Sequence, residues 1–197
     1  MSENPTKIGD SHKYNRMNVQ PWRIIVAKEI SPIVGWMKKT HLASVLKIDE
    51  ANNAWEGWSE KDFAKKLREK SVIGMVSEIE GTVVAFAVYE LAEKEIFLMK
   101  FEVAPELQGH TRAEHVLISE IQQKASSKDR GVRLVLPEAR ENMWKYKFFA
   151  KEGFSSRLKR NFFWQNDEDS NKIYNDGYEF SWKIDEKQVE ENEKEEN

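Results

Sequence analysis

The chain has 197 residues, 40% hydrophobic and 33% charged, with 31 Lys and Arg against 34 Asp and Glu and no cysteine. That length suits one domain with a real core, because such a chain can bury roughly 70% of its unfolded surface. The missing cysteine excludes a disulfide framework, a cysteine nucleophile and a thiolate metal site. No apolar run approaches the ~20 residues a membrane helix needs, and the polar first ten residues lack a signal peptide's apolar stretch, so the expectation is a soluble, cytoplasmic protein.

The formal charge of −3 is unevenly placed. Residues 185–197 hold seven acids and two lysines, which leaves the remaining 184 residues at +2. With Val189 as its one aliphatic residue, this segment cannot offset its ordering entropy, and it reads as a solvated acidic tail.

Residues 1–20 are polar and mixed. Residues 22–34 carry Trp22, Ile24, Ile25, Val26, Ile30, Ile33 and Val34, and Pro32 breaks any helix there. Residues 34–37 read as a short strand. Thr40 is suited to cap a helix that runs to about Asn52, with Leu42, Val45, Leu46 and Ile48 near one face. Ser59 with Asp62 resembles a capping box, and Phe63 and Leu67 mark the buried side of a second helix.

Three strands follow. Residues 72–79 are apolar and β-branched, and Glu80-Gly81 is a turn. Residues 83–89 are apolar on both parities, as a central strand covered on both faces requires. A third strand spans 96–103 and ends before Pro105. Ala113, Val116, Leu117 and Ile121 then recur at helical spacing over 112–125. Residues 132–136 form a strand stopped by Pro137, and residues 142–151 form a helix closed by Gly153. Two last strands, 154–164 and 178–184, flank a polar loop over 165–176. The element order is β–α–α–β–β–β–α–β–α–β–β.

One junction has the look of an anion site. A strand ends near Val103, a short turn follows, and a helix begins near Arg112. Unpaired N–H groups and the positive end of the helix dipole would hold a pyrophosphate there. An ordinary strand-to-helix turn has the same appearance.

Several segments carry a family resemblance. Leu46-Lys47-Ile48-Asp49-Glu50, followed by Trp58-Ser59, Phe101-Glu102-Val103-Ala104-Pro105, Gln108-Gly109-His110-Thr111-Arg112-Ala113, Asn142 with Gly153-Phe154, and Arg160-Asn161-Phe162-Phe163 stand in one order and spacing. Together they resemble the GCN5-related N-acetyltransferase (GNAT) superfamily, nearest to the branch that acetylates the N-terminal alanine of a ribosomal protein. The likeness spans about 33–184, leaving 1–32 as an N-terminal extension and 185–197 as the tail. It implies an α/β (α+β) fold: a mixed, mostly antiparallel sheet of six to seven strands with about four helices.

The resemblance also implies a chemistry. An amine, by likeness a protein N-terminus, attacks the thioester of acetyl-CoA directly, so no enzyme nucleophile is required. Gln108, Gly109, His110, Thr111, Arg112 and Ala113 fall on the pyrophosphate loop. Phe101 to Val103 fall on the strand that holds the pantetheine arm. Asn142 falls where it would support the pantetheine arm, its alternative role being an N-cap that holds the β–α turn, and Phe149 falls at the reacting end.

Three positions depart from the pattern. Thr111 replaces a glycine, Pro137 replaces the glutamate base, and Phe149 replaces the tyrosine that protonates the departing thiolate. Glu102 is the replacement base on this reading, and its alternative role is a surface partner for Lys100. Tyr146 offers a hydroxyl on the same helix as Phe149. Trp144 either narrows the acceptor channel or packs on the N-terminal segment. His110 suits a phosphate contact, and His110 and His115 lack the carboxylates that would complete a metal site. Arg157, Lys159 and Arg160 beside Phe162, Phe163 and Trp164 have a basic-aromatic look, but the +2 body argues against nucleic acid. The rival to an acetyltransferase is a degenerate module that binds acyl-CoA or a protein without turnover.

Overall fold

A computed structural model describes residues 31–52, 57–109, 112–138, 142–166 and 172–183. The segment 1–30, His110, Thr111 and the tail from 184 onward lie outside the described residues.

A sheet of seven strands forms the middle layer. The strands are β1 (Ile33–Trp36), β2 (Val72–Ile79), β3 (Thr82–Leu91), β4 (Glu95–Val103), β5 (Gly131–Pro137), β6 (Ser155–Asn166) and β7 (Lys172–Trp182). Their order is β1-β2-β3-β4-β5-β7-β6. Every pairing is antiparallel except β4 with β5, which is parallel. Among the described residues four α-helices flank it: α1 (Leu42–Asn52), α2 (Glu60–Lys66), α3 (Ala113–Ser126) and α4 (Met143–Lys151).

The central strand has the character its sequence requires. β3 alternates between two cores, with Val84, Ala85, Ala87 and Tyr89 in one and Val83, Phe86 and Val88 in the other. The first core takes Leu117, Ile118 and Ile121 from α3 and Phe149 from α4. The second takes Val45 and Ile48 from α1 and Phe63 from α2. The layers are therefore α1 and α2 on one face and α3 and α4 on the other.

Local signals act largely as read. Ser59 accepts from Asp62 N and Asp62 accepts from Ser59 N, which closes the capping box on α2. Gly153 follows α4 at φ +82, a conformation open to glycine. Thr40 does not cap α1; a 3-10 turn over Lys39–His41 leads into it instead, with Lys38 as its N-cap.

The largest difference lies at the end of the sheet. The polar loop expected over 165–176 is mostly strand, because β7 starts at Lys172 and pairs with β6 out to Asn166. The pairing shifts register between Lys159 and Phe163, where Asn161 sits at φ 51 and its N–H donates to Asp176 at 2.8 Å. Phe163 packs against Gly177, where a Cβ would stand 2.5 Å from its ring. The polar residues of β7 thus serve as bulge contacts rather than as loop.

Candidate active site

The one parallel pairing in the sheet is short. β4 and β5 pair only from Glu95↔Gly131 to Leu98↔Leu134. β4 then stays with β3 as far as Val103, while β5 stays with β7 as far as Pro137. The reason is a bulge. Val88 pairs with Lys100 and Tyr89 with Leu98, so Met99 is an extra residue that bends β4 away. A cleft of about 430 Å³ opens where the strands part.

The bulge also aims the backbone. Ala104 N–H donates to Val84 O at 2.8 Å, so the backbone groups of Glu102 point to β3 and those of Phe101 and Val103 point into the gap. An elongated ligand with amide groups would find an unpaired strand edge there. One acceptor is already engaged: Val103 O accepts from Asn52 Nδ2 at 2.9 Å, and Gln108 Nε2 lies 2.6 Å from Asn52 Oδ1.

Two lysine–carboxylate pairs stand at the cleft. Lys100 Nζ lies 3.0 Å from Asp49 Oδ1 and 5.5 Å from the centre of the Trp58 ring. Asp49 Oδ2 accepts the Trp58 N–H at 2.6 Å. Lys145 Nζ donates to Glu102 Oε1 at 2.6 Å. Glu102 is 2% exposed and Lys145 3% exposed. Glu102 Oε2 has no hydrogen-bond partner among the described residues. Phe162 and Phe163 from β6 and Trp58 from the α1–α2 connection complete an aromatic rim.

The turn after β4 is a 3-10 turn over Pro105–Leu107 that leads to Gly109 at φ +71. Arg112 is the N-cap position of α3, and Ala113, the first helical residue, is fully buried. Gly109 N–H donates to Glu114 Oε1 at 3.1 Å, so a buried carboxylate sits in the first turn of the helix expected to bind an anion.

No protein-family model matches the sequence, and no curated protein matches it. Solved structures do. The ribosomal-protein-S18-alanine N-acetyltransferase from Escherichia coli aligns at 18% identity and TM-score 0.63, over 78% of this chain and 94% of that one. Ard1 from Thermoplasma volcanium aligns at 19% identity and TM-score 0.63, over 79% and 99%. Arabidopsis thaliana Naa50, solved with the bisubstrate analogue CoA-Ac-MVNAL, aligns at 16% identity and TM-score 0.58, over 79% and 100%. The chain has the GNAT fold.

Within the GNAT fold the expected residues separate into groups. Phe101, Glu102 and Asn142 line the cleft; Val103 lies beside it on β4. Gln108, Gly109, Arg112 and Ala113 lie on the β4–α3 junction, while His110 and Thr111 of the same loop fall outside the described residues. Asn142 makes no capping bond and instead donates to Pro137 O at 3.0 Å, which holds the β5–α4 turn. Phe149 is fully buried and not on the cleft wall; it packs behind Phe101 at a centroid distance of 5.2 Å.

Lys100 is not the partner of Glu102, because it turns to Asp49. Tyr146 gives its hydroxyl proton to Pro137 O, and its ring stacks on Phe180. Trp144 packs beside Phe148. His115 pairs with Glu152 at 2.9 Å, and among the described residues no group of His, Asp and Glu is arranged to hold a metal. No helix among the described residues is long and apolar enough to cross a membrane.

Two cations of the basic-aromatic stretch, Arg157 and Lys159, pair across strands. Glu179 of β7 receives Arg157 at 2.8 Å, Lys159 at 3.1 Å and Arg133 at 3.6 Å. Burial raises its pKa, but the hydrogen bonds and charges of Lys159 and Arg157 outweigh this and hold the carboxyl below its usual range.

Two members of the site escaped sequence reading. Asp49 was readable, since it follows Val45 by one helical turn on the buried face of α1. Lys145 was readable by the same spacing, one turn before Phe149 on α4.

Proposed function

We propose that the chain is an acetyl-CoA-dependent N-acetyltransferase whose acceptor is a protein N-terminal amine. The parting of β4 from β5 at Met99 carries this reading, because it opens an unpaired strand edge onto a cleft that holds a carboxylate. Phe101 and Val103 pair with the pantetheine amides. Gln108, Gly109, His110, Thr111, Arg112 and Ala113 surround the pyrophosphate, Arg112 adding charge at the start of α3. Asn142 and Phe149 act at one remove, by holding the β5–α4 turn and the back of Phe101.

Glu102 is the base. Its Oε1 is fixed by Lys145 and its Oε2 has no partner among the described residues, so Oε2 takes a proton from the acceptor's ammonium. The freed amine attacks the thioester carbon. The aromatic rim of Trp58, Phe162 and Phe163 surrounds the acceptor's first residue. The solved complex of Naa50 with a CoA–peptide conjugate supports this acceptor class.

A second reading rests on Glu114. Its carboxylate occupies Gly109 N–H and places negative charge where a pyrophosphate would lie. A module that binds acyl-CoA weakly and does not turn it over would tolerate this.

Thermal unfolding with acetyl-CoA, followed by thiol release over peptides that begin with Ala, Ser or Met, decides between them. Acetyl-CoA at 100 times its dissociation constant adds about 2.7 kcal/mol of stability on either reading. Peptide-dependent thiol release supports the enzyme. Stabilisation without release supports the module, and no stabilisation removes both.

A further inference from the structure

The geometry points to Lys145 as the proton donor to the departing thiolate, in place of a hydroxyl at Phe149. This rests on the acetyltransferase reading and adds a second catalytic residue to it. Phe149 has no proton to give and is shut in the core. Tyr146 has committed its hydroxyl to Pro137 O. Lys145 stands one turn before Phe149 on the same face of α4, and its ammonium lines the cleft that Glu102 lines.

A lysine this buried needs a reason. Taking an ammonium out of water is costly unless a partner compensates, and Glu102 Oε1 at 2.6 Å is that partner. The pair leaves Glu102 one open oxygen and Lys145 a charge beside the place where negative charge develops on sulfur. Among the described residues the other charged side chain on the cleft wall is Lys100, bound to Asp49 behind it. The rings of Trp144, at 5.8 Å from Nζ, and Trp58 are uncharged.

The reaction balances with these two groups. The acceptor ammonium gives one proton to Glu102 Oε2, which later passes it to solvent. The amine nitrogen forms the C–N bond and the C–S bond breaks. The sulfur's electron pair takes a proton from Lys145 Nζ. The second proton, lost as the nitrogen becomes an amide, returns to Lys145. The products are the acetylated amine, CoA thiol and one proton.

Two measurements test this. The first needs no turnover: the ultraviolet absorbance of the CoA thiolate, taken against desulfo-CoA, is titrated on E102Q and on E102Q/K145M. The double variant removes both charges and so leaves no unpaired buried ion. Bound CoA should ionise at lower pH on E102Q than free in solution, and at the free value or above on the double variant. Equal titration on both proteins would overturn the assignment while leaving acetyl-CoA binding intact.

The second uses K145R, which keeps the charge and the hydrogen bonds but does not release its proton. Its kcat should fall by about 10²-fold or more with KM for acetyl-CoA within a few-fold. Unchanged kcat would reject Lys145 as the donor. Absence of any CoA binding to the wild-type protein would instead reject the acetyltransferase reading itself.

Discussion

Two lysine–carboxylate pairs stand at the same cleft, yet they are built differently. Asp49 uses both oxygens, one on Lys100 and one on the Trp58 N–H, and so ties α1 to β4 and to the α1–α2 connection. Glu102 uses one oxygen, on Lys145, and leaves the other open. Asp49 is itself fully buried and does not line the cleft, whereas Glu102 and Lys145 both do. A buried carboxylate with every bond made is architecture; one left incomplete beside a cleft has an acceptor to spare for chemistry.

The comparison breaks most readily at Glu102. The E102Q variant should lose about 10²–10⁴-fold in peptide-dependent thiol release, while D49A, measured per folded molecule, should stay within about tenfold of wild type. Equal losses in the two variants would show that the pairs do not differ in kind. Stability should run the other way. Denaturant unfolding should show D49A costing about 3–5 kcal/mol, since it strips Lys100 and the Trp58 N–H of their acceptor together. E102Q also removes the counter-charge of a buried ammonium but keeps shape and an acceptor for Lys145, so its cost should fall below that of D49A.

A smaller effect is expected at Glu114. Removing its charge with E114Q should tighten acetyl-CoA binding by about three- to tenfold, read by calorimetry, because the positive end of α3 no longer faces a fixed anion. Unchanged affinity would place the pyrophosphate elsewhere. The smallest effect belongs to Glu179 on the outer sheet. E179Q should cost no more than about 1 kcal/mol, because it keeps its shape and Arg157, its nearest partner, is solvent-exposed. Because the folded pKa of Glu179 lies below its unfolded value, its contribution is present above the ordinary carboxylate range and is lost as pH falls through the folded pKa. Unfolding measured against pH should therefore show a shallower acid-side fall in E179Q.

The sequence reveals the fold more fully than the site. Period and punctuation decide most elements: β3 is apolar on both parities because both faces are covered, and Ser59 and Gly153 mark helix ends by local chemistry. The first half of β7 escapes, because Asn175, Asp176 and Gly177 read as a turn until Phe163 is seen against Gly177 and the Asn161 N–H on Asp176. At the site, Glu102 is legible as an acid on the strand that lines the cleft. Its partner Lys145 is marked only by standing one turn before Phe149, a weak signal because charged residues on helices are usually solvated. That Lys100 turns to Asp49 rather than to Glu102 depends on α1 packing across the sheet, which spacing along one strand does not show.

The central claim is that the gap between β4 and β5 is the acetyl-CoA site, and amide hydrogen exchange tests it most directly. On saturation with CoA, the N–H groups of Phe101 and Val103, which point into the gap, should gain protection, while β1 at the opposite edge of the sheet should be unchanged. CoA that stabilises the protein without protecting these two amides would place the cofactor elsewhere and contradict the account.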